Sequence, residues 1–558
     1  MWNSVRALLP ARADLTAMRR QPRQDLLAGL TVAVVALPLA LAFGVSSGLG
    51  AEAGLATAVV AGTVAALFGG SNVQVSGPTG AMTVVLVPIV ARYGPGGVLT
   101  VGLMAGALLI GLALLRAGRY MRYVPAPVVE GFTLGIACVI GLQQVPAALG
   151  VPTPEGDKVA ALALRAVGAF LNHPHWAPLM LSTAVTGVIL AGARYCPRVP
   201  LSLPAVTAAT VAAEIAHLPV ARIGHLPSGL PTPSLEFLHP ATLPSLMAPA
   251  VAVAALAALE SLLSATVADG MTRGQRHDPD RELFGQGMAN LVVPLFGGVP
   301  ATAAIARTAV NIRTGAGSRL AALVHAAVLA LIVFAAAPLV GRIPLAALAG
   351  VLLATAIRMV EVASLRAVAR ATRADGVVLL LTAAATLALD LVYAVVIGLV
   401  VAGALALRAV ARQVRLDHVP LHEGPSDEHV AGESALLAEH IVAYRLEGPL
   451  FFAAGDRSLA ELTEVTDVSV VILRLSRVTH IDATGALALK DAIDRLNRRG
   501  ITVLVSGLPP GRRRALDALG VLDAVRDGDQ VHATAPEALS AARARLHRAG
   551  VLQGEATG

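Results

Sequence analysis

Long apolar runs separated by short polar connections constrain this chain more than any other feature of its sequence. Helices that cross a bilayer need about 17–25 largely apolar residues. Mean hydropathy is +0.71 and 56% of residues are hydrophobic, which is more apolar surface than a globular core can absorb. The sequence therefore predicts a polytopic α-helical membrane protein, embedded in a lipid bilayer. Its fourteen approximate spans are 26–48, 52–70, 79–92, 97–116, 124–149, 175–194, 200–218, 246–269, 283–297, 301–313, 319–340, 343–358, 374–390 and 391–408.

Arginines are concentrated in alternate connections between these runs, on the same side as residues 1–25. The long connections 150–174 and 219–245 are poor in lysine and arginine and fall on the other side. Because basic loops stay in the cytoplasm, we expect the N-terminal segment to be cytoplasmic in a cytoplasmic (inner) membrane protein. Topology also explains the formal charge of +7 better than a nucleic-acid partner does.

Several other classes of function lack the residues they need. The two cysteines, Cys138 and Cys196, lie in or beside apolar runs, so they indicate neither a disulfide framework nor a metal cluster. The chain has no GxxxxGK[ST] loop for nucleotide phosphates, which argues against direct ATP driving. The sequence therefore predicts a protein that is not an enzyme and that needs no cofactor.

Two of the apolar runs, 79–92 and 301–313, are too short to cross a membrane alone. Each follows the tetrapeptide LFGG, at 67–70 and at 295–298, and each is preceded by a proline, Pro78 or Pro300. Short segments interrupted by Gly or Pro at matching positions of two halves indicate a transporter's binding site. The tetrapeptides lie 295 − 67 = 228 residues apart, about seven spans, so the second copy is inverted. We expect two half-helix N-termini to face each other and to attract an anion.

Arg307 lies within the second short segment, about two turns into its predicted half-helix. An arginine at mid-bilayer depth costs roughly 2.5–3.5 kcal/mol on insertion scales. It can snorkel to the interface or pair with a lipid phosphate. The matching short segment in the other half favours a role in anion binding.

Glu260 is the only carboxylate within the apolar core of the eighth predicted span, and Ser261 and Ser264 are beside it. A buried carboxylate can carry a proton, coordinate a cation or neutralise Arg307. The sequence leaves these three roles open. Glu130 and Asp390 are near span ends, where solvated or helix-terminal roles are expected.

The stretch RHDPDRELFGQGMANLVVPLFGGVPATAAIARTAVN, residues 276–311, resembles the signature region of the SulP family of anion transporters. The first span, LTVAVVALPLALAFGVSSGLGAEAGL, is similar to that of the family's bicarbonate permeases. The resemblance implies a seven-plus-seven inverted repeat across 26–415, with a core domain (spans 1–4 and 8–11) and a gate domain (spans 5–7 and 12–14). It also implies an elevator mechanism and a homodimer.

The same resemblance implies an anion site between spans 3 and 10, with a coupling site nearby. The implied substrate residues are Phe43, Thr79, Gly80, Ile305, Ala306 and Arg307, and the implied coupling residues are Glu260 and Ser264. Phe43 and Ala306 stand where many members have Tyr and Ser, which removes polar groups. Sodium-coupled bicarbonate members tend to have Asp in place of Glu260 and no arginine at 307, so the resemblance gives conflicting advice about the coupling ion.

The composition changes after about residue 415. Residues 416–433 are expected to be a linker, and 434–548 alternate strand and helix patterns. The latter segment resembles the STAS domain of SulP transporters, and 549–558 is expected to be a flexible tail. THIDATGALAL matches a motif with a phosphorylatable hydroxyl, here Thr484. We expect Thr484 to help start a helix rather than to be phosphorylated.

Together these features predict a secondary active transporter for a small anion such as bicarbonate, sulfate or a dicarboxylate. Proton-coupled symport through Glu260 is the preferred hypothesis. The alternatives are a sodium-dependent bicarbonate symporter, in which Glu260 and Ser264 are cation ligands, and an anion channel or exchanger without cation coupling. A sensor that signals through the STAS domain is a third possibility.

Overall fold

The computed structural model describes residues 8–154, 158–196, 199–272, 276–389, 391–412, 415–419, 439–451, 468–525 and 530–551. The chain divides into two compact units, residues 1–400 and residues 401–558. Each unit is described by itself below. Asp390 and most of the linker and tail segments predicted from the sequence lie outside the described residues.

The first unit consists almost entirely of helices, as expected where lipid offers the backbone no hydrogen-bond partners. Nine helices among the described residues are long and apolar enough to cross a membrane. The helices are α1 (Arg12–Met18), α2 (Pro22–Ser46), α3 (Ala51–Phe68), α4 (Gly80–Leu114), α5 (Ala126–Leu149), α6 (Val159–Asn172), α7 (Trp176–Tyr195), α8 (Ser202–Ile215), α9 (Leu243–Met271), α10 (Pro279–Val292), α11 (Ile305–Arg313), α12 (Leu320–Val340), α13 (Leu345–Met359), α14 (Val362–Ala371), α15 (Arg373–Ala388) and α16 (Leu391–Ala411). Two short strands, β1 (Ser76–Gly77) and β2 (Thr302–Ala303), interrupt them.

These helices pack in two groups. In one group, α10 packs against α3 and α4, α9 against α4, and α12 against α2 and α3. In the other group, α5 packs against α13 and α15, and α13 packs against α7. Both short strands belong to the first group, where β1 contacts α3 and β2 contacts α9. Many of the contacts use small residues, which let helix backbones approach closely.

The predicted spans 79–92 and 97–116 are two parts of α4. The helix has a non-helical residue at Gly94, with φ 68° and ψ −176°, and Pro95 follows it. A left-handed φ is natural for glycine, and proline cannot donate the next helical hydrogen bond. The short third span therefore continues into the fourth across a kink rather than a loop.

Other predicted boundaries also change. The predicted span 283–297 is a helix, α10, followed by a 3₁₀ turn at Val293–Phe296, because Pro294 lacks the N–H that would continue the helix. Most of the expected loop 150–174 is the amphipathic helix α6, which buries Ala163, Ala166 and Phe170. The total of fourteen spans stays a prediction.

The second unit is an α/β domain. Its strands β3 (Arg415–Val419), β4 (Ile441–Leu450), β5 (Val470–Ile481), β6 (Thr502–Ser506) and β7 (Val531–His532) form one sheet in that order. Strand β3 is antiparallel to β4, and the remaining pairs are parallel. Apolar side chains from both faces of the sheet pack against α17 (Ala483–Arg498), α18 (Pro510–Ala518) and α19 (Ala535–Arg548).

Two expectations for this unit are wrong. Residues 416–419 are not part of a linker, because they pair with β4 as an outer strand of the sheet. The remainder of that predicted linker, from 420 to 433, lies outside the described residues. Thr484 does not cap α17 either: Asp482 is the cap, and its Oδ1 accepts a hydrogen bond of 2.7 Å from the Gly485 N–H. Thr484 is an exposed residue in the first helical turn.

Candidate anion site at the helix crossing

The two predicted half-helices begin at a small two-stranded sheet. Strands β1 and β2 pair antiparallel, with Ser76 opposite Ala303 and Gly77 opposite Thr302. The Ala304 N–H also donates to the Val75 carbonyl over 3.0 Å. Because each strand leads almost directly into a helix, α4 and α11 begin close together and run away from each other. The sequence-predicted meeting of two half-helix N-termini is therefore present in the fold.

The two N-termini differ in how their free N–H groups are used. Thr79 is the N-cap of α4, and its Oγ1 accepts from the Met82 N–H over 3.4 Å. The N-cap of α11 is Ala304, which has no side-chain acceptor. The next two residues, Ile305 and Ala306, are exposed. The α11 N-terminus can therefore offer its first N–H groups to an anion.

Glu260 of α9 points into this crossing. Its Oε2 accepts hydrogen bonds from Thr302 Oγ1 over 2.6 Å and from Thr79 Oγ1 over 2.9 Å. The two hydroxyl oxygens are themselves 3.2 Å apart. One carboxylate thus connects the N-terminus of α4 with β2, the strand that precedes α11. We call this set, Thr79, Glu260 and Thr302, the carboxylate cluster.

Arg307 is placed differently from the sequence-based expectation. It is the third residue of α11, not two turns inside it, because residues 302 and 303 are in β2. The side chain is 1% exposed, and its Nη2 donates to the Pro78 carbonyl over 2.7 Å. Its Nη1 has no hydrogen-bond partner among the described residues. Arg307 and Glu260 form no ion pair within the described part of the chain, so their attraction acts through space.

The buried guanidinium depends on the glycine beside it. A Cβ added to Gly77 would lie 2.5 Å from Arg307 Nη1, well inside van der Waals contact. The missing side chain at 77 therefore makes room for the arginine between β1 and α11. In this position the guanidinium is buried beside the crossing, and its positive charge adds to the electric field of both helix N-termini.

Phe43 and Gly80 form one wall of the site. Phe43 is 5% exposed, and a Cβ at Gly80 would lie 3.2 Å from Phe43 Cε1 and 2.3 Å from Ile140 Cδ1. Any side chain at position 80 would collide with α5. This wall carries no side-chain hydrogen-bond donor.

No hydrogen bond joins Ser264 to Glu260 among the described residues. Its Oγ donates to Thr308 Oγ1 over 3.4 Å, and Thr308 Oγ1 in turn accepts from the Val75 N–H over 3.1 Å. Ser261 Oγ accepts from the Ala303 N–H over 3.2 Å. The hydrogen bonds of these hydroxyls connect the segments of β1 and β2 to α9 and α11.

Sequence analysis missed Thr302, Ser261 and Thr308 as site residues. Isolated hydroxyls are common in apolar helices, where they bond to their own backbone, so their spacing carries little signal. For Thr302 and Thr308 the useful signal was their position in the short segment after Pro300, and for Ser261 it was its place next to Glu260. The described residues contain no group of three or more His, Cys, Asp or Glu side chains placed to hold a metal ion.

Comparison with known proteins gives matches over most of the chain. The model of the Sulfate permease family matches residues 23–382, and that of the STAS domain matches residues 435–538. The protein named "Putative sulfate transporter YvdB" from Bacillus subtilis is 35% identical over 519 residues, covering 89% of this chain and 94% of its own length. The bicarbonate transporter BicA from Picosynechococcus is 31% identical over 518 residues, covering 90% and 91%.

Solved structures agree with this assignment. The transmembrane domain of a cyanobacterial BicA has a TM-score of 0.61 at 32% identity, covering 69% of this chain and 98% of that chain. Murine Slc26a9 has a TM-score of 0.83 at 17% identity, covering 98% and 95%, and so shows the fold alone. The matches confirm the predicted fold class, a multi-pass helical membrane protein with a C-terminal α/β STAS domain, and the prediction of a transporter rather than an enzyme. The chain is a member of the sulfate permease family with a STAS domain after its transmembrane part.

Proposed function

We propose that this protein is a secondary active transporter that carries a small oxyanion across the cytoplasmic membrane together with a proton. The observation that carries the proposal is the carboxylate cluster beside the uncapped N-terminus of α11. An anion bound at that N-terminus and a proton bound at Glu260 would occupy the same crossing. One rigid shift of the first helix group against the second would then move both.

Bicarbonate fits the proposed site better than sulfate or a dicarboxylate. Phe43, Ile305 and Ala306 offer no side-chain donor, so backbone N–H groups and the field of Arg307 must replace the anion's water. Desolvation costs rise steeply with charge, and unreplaced hydrogen bonds add to them. A singly charged anion loses less hydration than a dianion. One relative is named for sulfate transport and another for bicarbonate transport, so the transport of both anions must be measured.

The cluster suits a proton better than a sodium ion. A hydroxyl can donate to an ionised carboxylate or accept from a protonated one, so Thr79 and Thr302 can satisfy Glu260 in both states. A sodium site needs several converging oxygens, whereas the Ser264 hydroxyl is directed to Thr308. Sodium coupling remains the second candidate, because relatives with bicarbonate transport names have a similar first span.

Reconstitution in liposomes tests the proposal. We expect labelled bicarbonate to accumulate several-fold faster when the outside is acidic, and sulfate and fumarate to accumulate less. E260Q should keep anion exchange but lose the acid stimulation, because an amide cannot release a proton. E236Q, which makes the same substitution at an exposed loop residue, is the matched control.

Three results would contradict the proposed proton-coupled transport, each in a different way. Acid stimulation that survives in E260Q would exclude Glu260 as the proton site. Stimulation by sodium alone would replace the proton proposal with cation binding. Electrical conductance without counterflow would indicate a channel instead of a carrier.

A further inference from the structure

Four exposed arginines lie within and on either side of the short helix α14. The helix has no buried residue, and it connects the apolar helices α13 and α15. The four arginines are Arg358, Arg366, Arg370 and Arg373. We call these four residues the basic strip.

One face of α14 is fixed to the rest of the first unit. Ser364 Oγ donates to Glu130 Oε1 of α5 over 2.5 Å, and Ser364, Leu365 and Val368 are partly covered. At 100° per residue, Arg366 and Arg370 lie on the opposite face. Two residues next to these arginines on the helix surface, Ala363 and Ala367, are small.

The charges of the basic strip lack partners in the described part of the chain, where its four arginines form no ion pair. Arg366 and Arg370 are four residues apart, and like charges at this spacing destabilise a helix. Between 358 and 375 there are four arginines and two acids, Glu361 and Asp375, a net charge of 4 − 2 = +2. Asp375 is already engaged as an acceptor of the Thr372 hydroxyl over 2.8 Å.

The strip is at the depth where lipid phosphates occur. Arg358 is in the last turn of α13, and Arg373 is the first residue of α15, so the strip is where two apolar helices leave the hydrocarbon layer. Arginine forms bidentate hydrogen bonds with phosphate. Basic segments at this position attract anionic lipids.

We propose that the basic strip binds the phosphate headgroups of anionic phospholipids in the adjoining leaflet. The unpartnered Arg366 and Arg370 provide the main contacts, and the neighbouring alanines, Ala363 and Ala367, allow a headgroup to approach. The bound lipid fixes α14, and through Ser364 and Glu130 it fixes the group of helices that contains α5. This surface is separate from the carboxylate cluster.

Lipid binding by the purified full-length protein tests the proposal. Native mass spectrometry would count phosphatidylglycerol and phosphatidylcholine retained by wild type, by R366Q/R370Q and by R92Q/R342Q. The last variant removes the same charge from exposed arginines outside the strip. We expect R366Q/R370Q to retain at least threefold less phosphatidylglycerol, with phosphatidylcholine unchanged, and R92Q/R342Q to resemble wild type.

Two further measurements use the wild-type protein, so they do not depend on the folding of a variant. Retention of phosphatidylglycerol should fall several-fold as salt is raised, and soluble glycerol 3-phosphate should not displace it at equal concentration. Salt-independent retention, or equal loss in the control variant, would overturn the proposal. Displacement by glycerol 3-phosphate would show a site for free phosphate compounds instead of a lipid surface.

Discussion

At the scale of single residues, Arg307 illustrates how an unfavourable charge is accommodated. A guanidinium this deeply buried is tolerated only where its N–H groups have hydrogen-bond acceptors and an opposite charge lies nearby. Nη2 has the Pro78 carbonyl, while Glu260 supplies an opposite charge nearby. The remaining Nη1 has no hydrogen-bond partner among the described residues, but it is buried beside Gly77, so we expect the guanidinium to act on an anion at the crossing through its electric field.

Gly77 controls that arrangement. We expect G77A to push the guanidinium away from Pro78, because the new Cβ would lie 2.5 Å from Nη1. Overpacking of this kind costs about 1–3 kcal/mol, and the φ of 155° adds strain for any residue with a Cβ. Substrate affinity should fall about tenfold along with thermal stability, as measured by isothermal calorimetry and thermal unfolding.

G111A provides the control for this prediction. Gly111, in α4, belongs to the same unit as Gly77. A Cβ added to Gly111 would have no other atom within 4 Å. Unchanged anion affinity in a folded G77A protein would mean that the guanidinium does not need its present position to bind substrate.

At the scale of elements, the N-terminal helix α1 is clamped to the first helix group by a single carboxylate. Asp14 Oδ2 accepts from Arg281 Nη2 over 2.5 Å, and its Oδ1 is 3.5 Å from Arg319 Nε. Arg319 also donates to the Ala66 carbonyl at the end of α3. A segment expected only to precede the first span is therefore connected to α10 directly and to α3 through Arg319.

This clamp predicts a pH dependence. Partial burial tends to raise the pKa of Asp14, but hydrogen bonds from Arg281 and Ala11 and the charge of Arg319 hold that pKa below its ordinary value. The stabilisation is therefore complete above about pH 4, the value in the unfolded chain, and is lost as the pH falls through the lowered native pKa. We expect D14N to lower the free energy of unfolding by about 1.5 kcal/mol at neutral pH.

Thermal unfolding between pH 7 and about pH 2 checks this prediction. The difference in stability between D14N and wild type should stay constant down to about pH 4 and narrow below it. D523N, at an exposed aspartate of the second unit, should differ little from wild type throughout. A D14N penalty that does not vary with pH would show that the charge of Asp14 is unimportant to the clamp.

At the scale of the whole molecule, the transport site and the STAS domain have separate cores. All of the proposed site residues lie between positions 43 and 308, in the first unit, while the second unit has its own buried clusters on both faces of its sheet. We expect a chain ending at residue 412 to bind anion with an affinity within about twofold of the full chain. Loss of binding in a well-folded truncated protein would show that the STAS domain completes the site.

Much of this organisation was predictable because lipid restricts the options. Apolar runs must become helices in a bilayer. The two short segments that follow LFGG and a proline predict the helix crossing from the sequence alone. Element boundaries were less predictable. The kink at Gly94, the helix in 159–172 and the strand at 415–419 depend on neighbours that hydropathy does not report.

The sequence by itself determined the membrane class, the presence of an α/β domain after the apolar helices and the two short segments that carry the site, since these follow from local composition and chain direction. Only the tertiary structure decided which side chains meet there. Glu260 and Thr302 are 42 residues apart and Thr79 is 181 residues from Glu260, yet one carboxylate oxygen contacts both hydroxyls. Such contacts depend on how α4, α9 and β2 pack together, and no local pattern along the chain encodes the distances between elements so far apart.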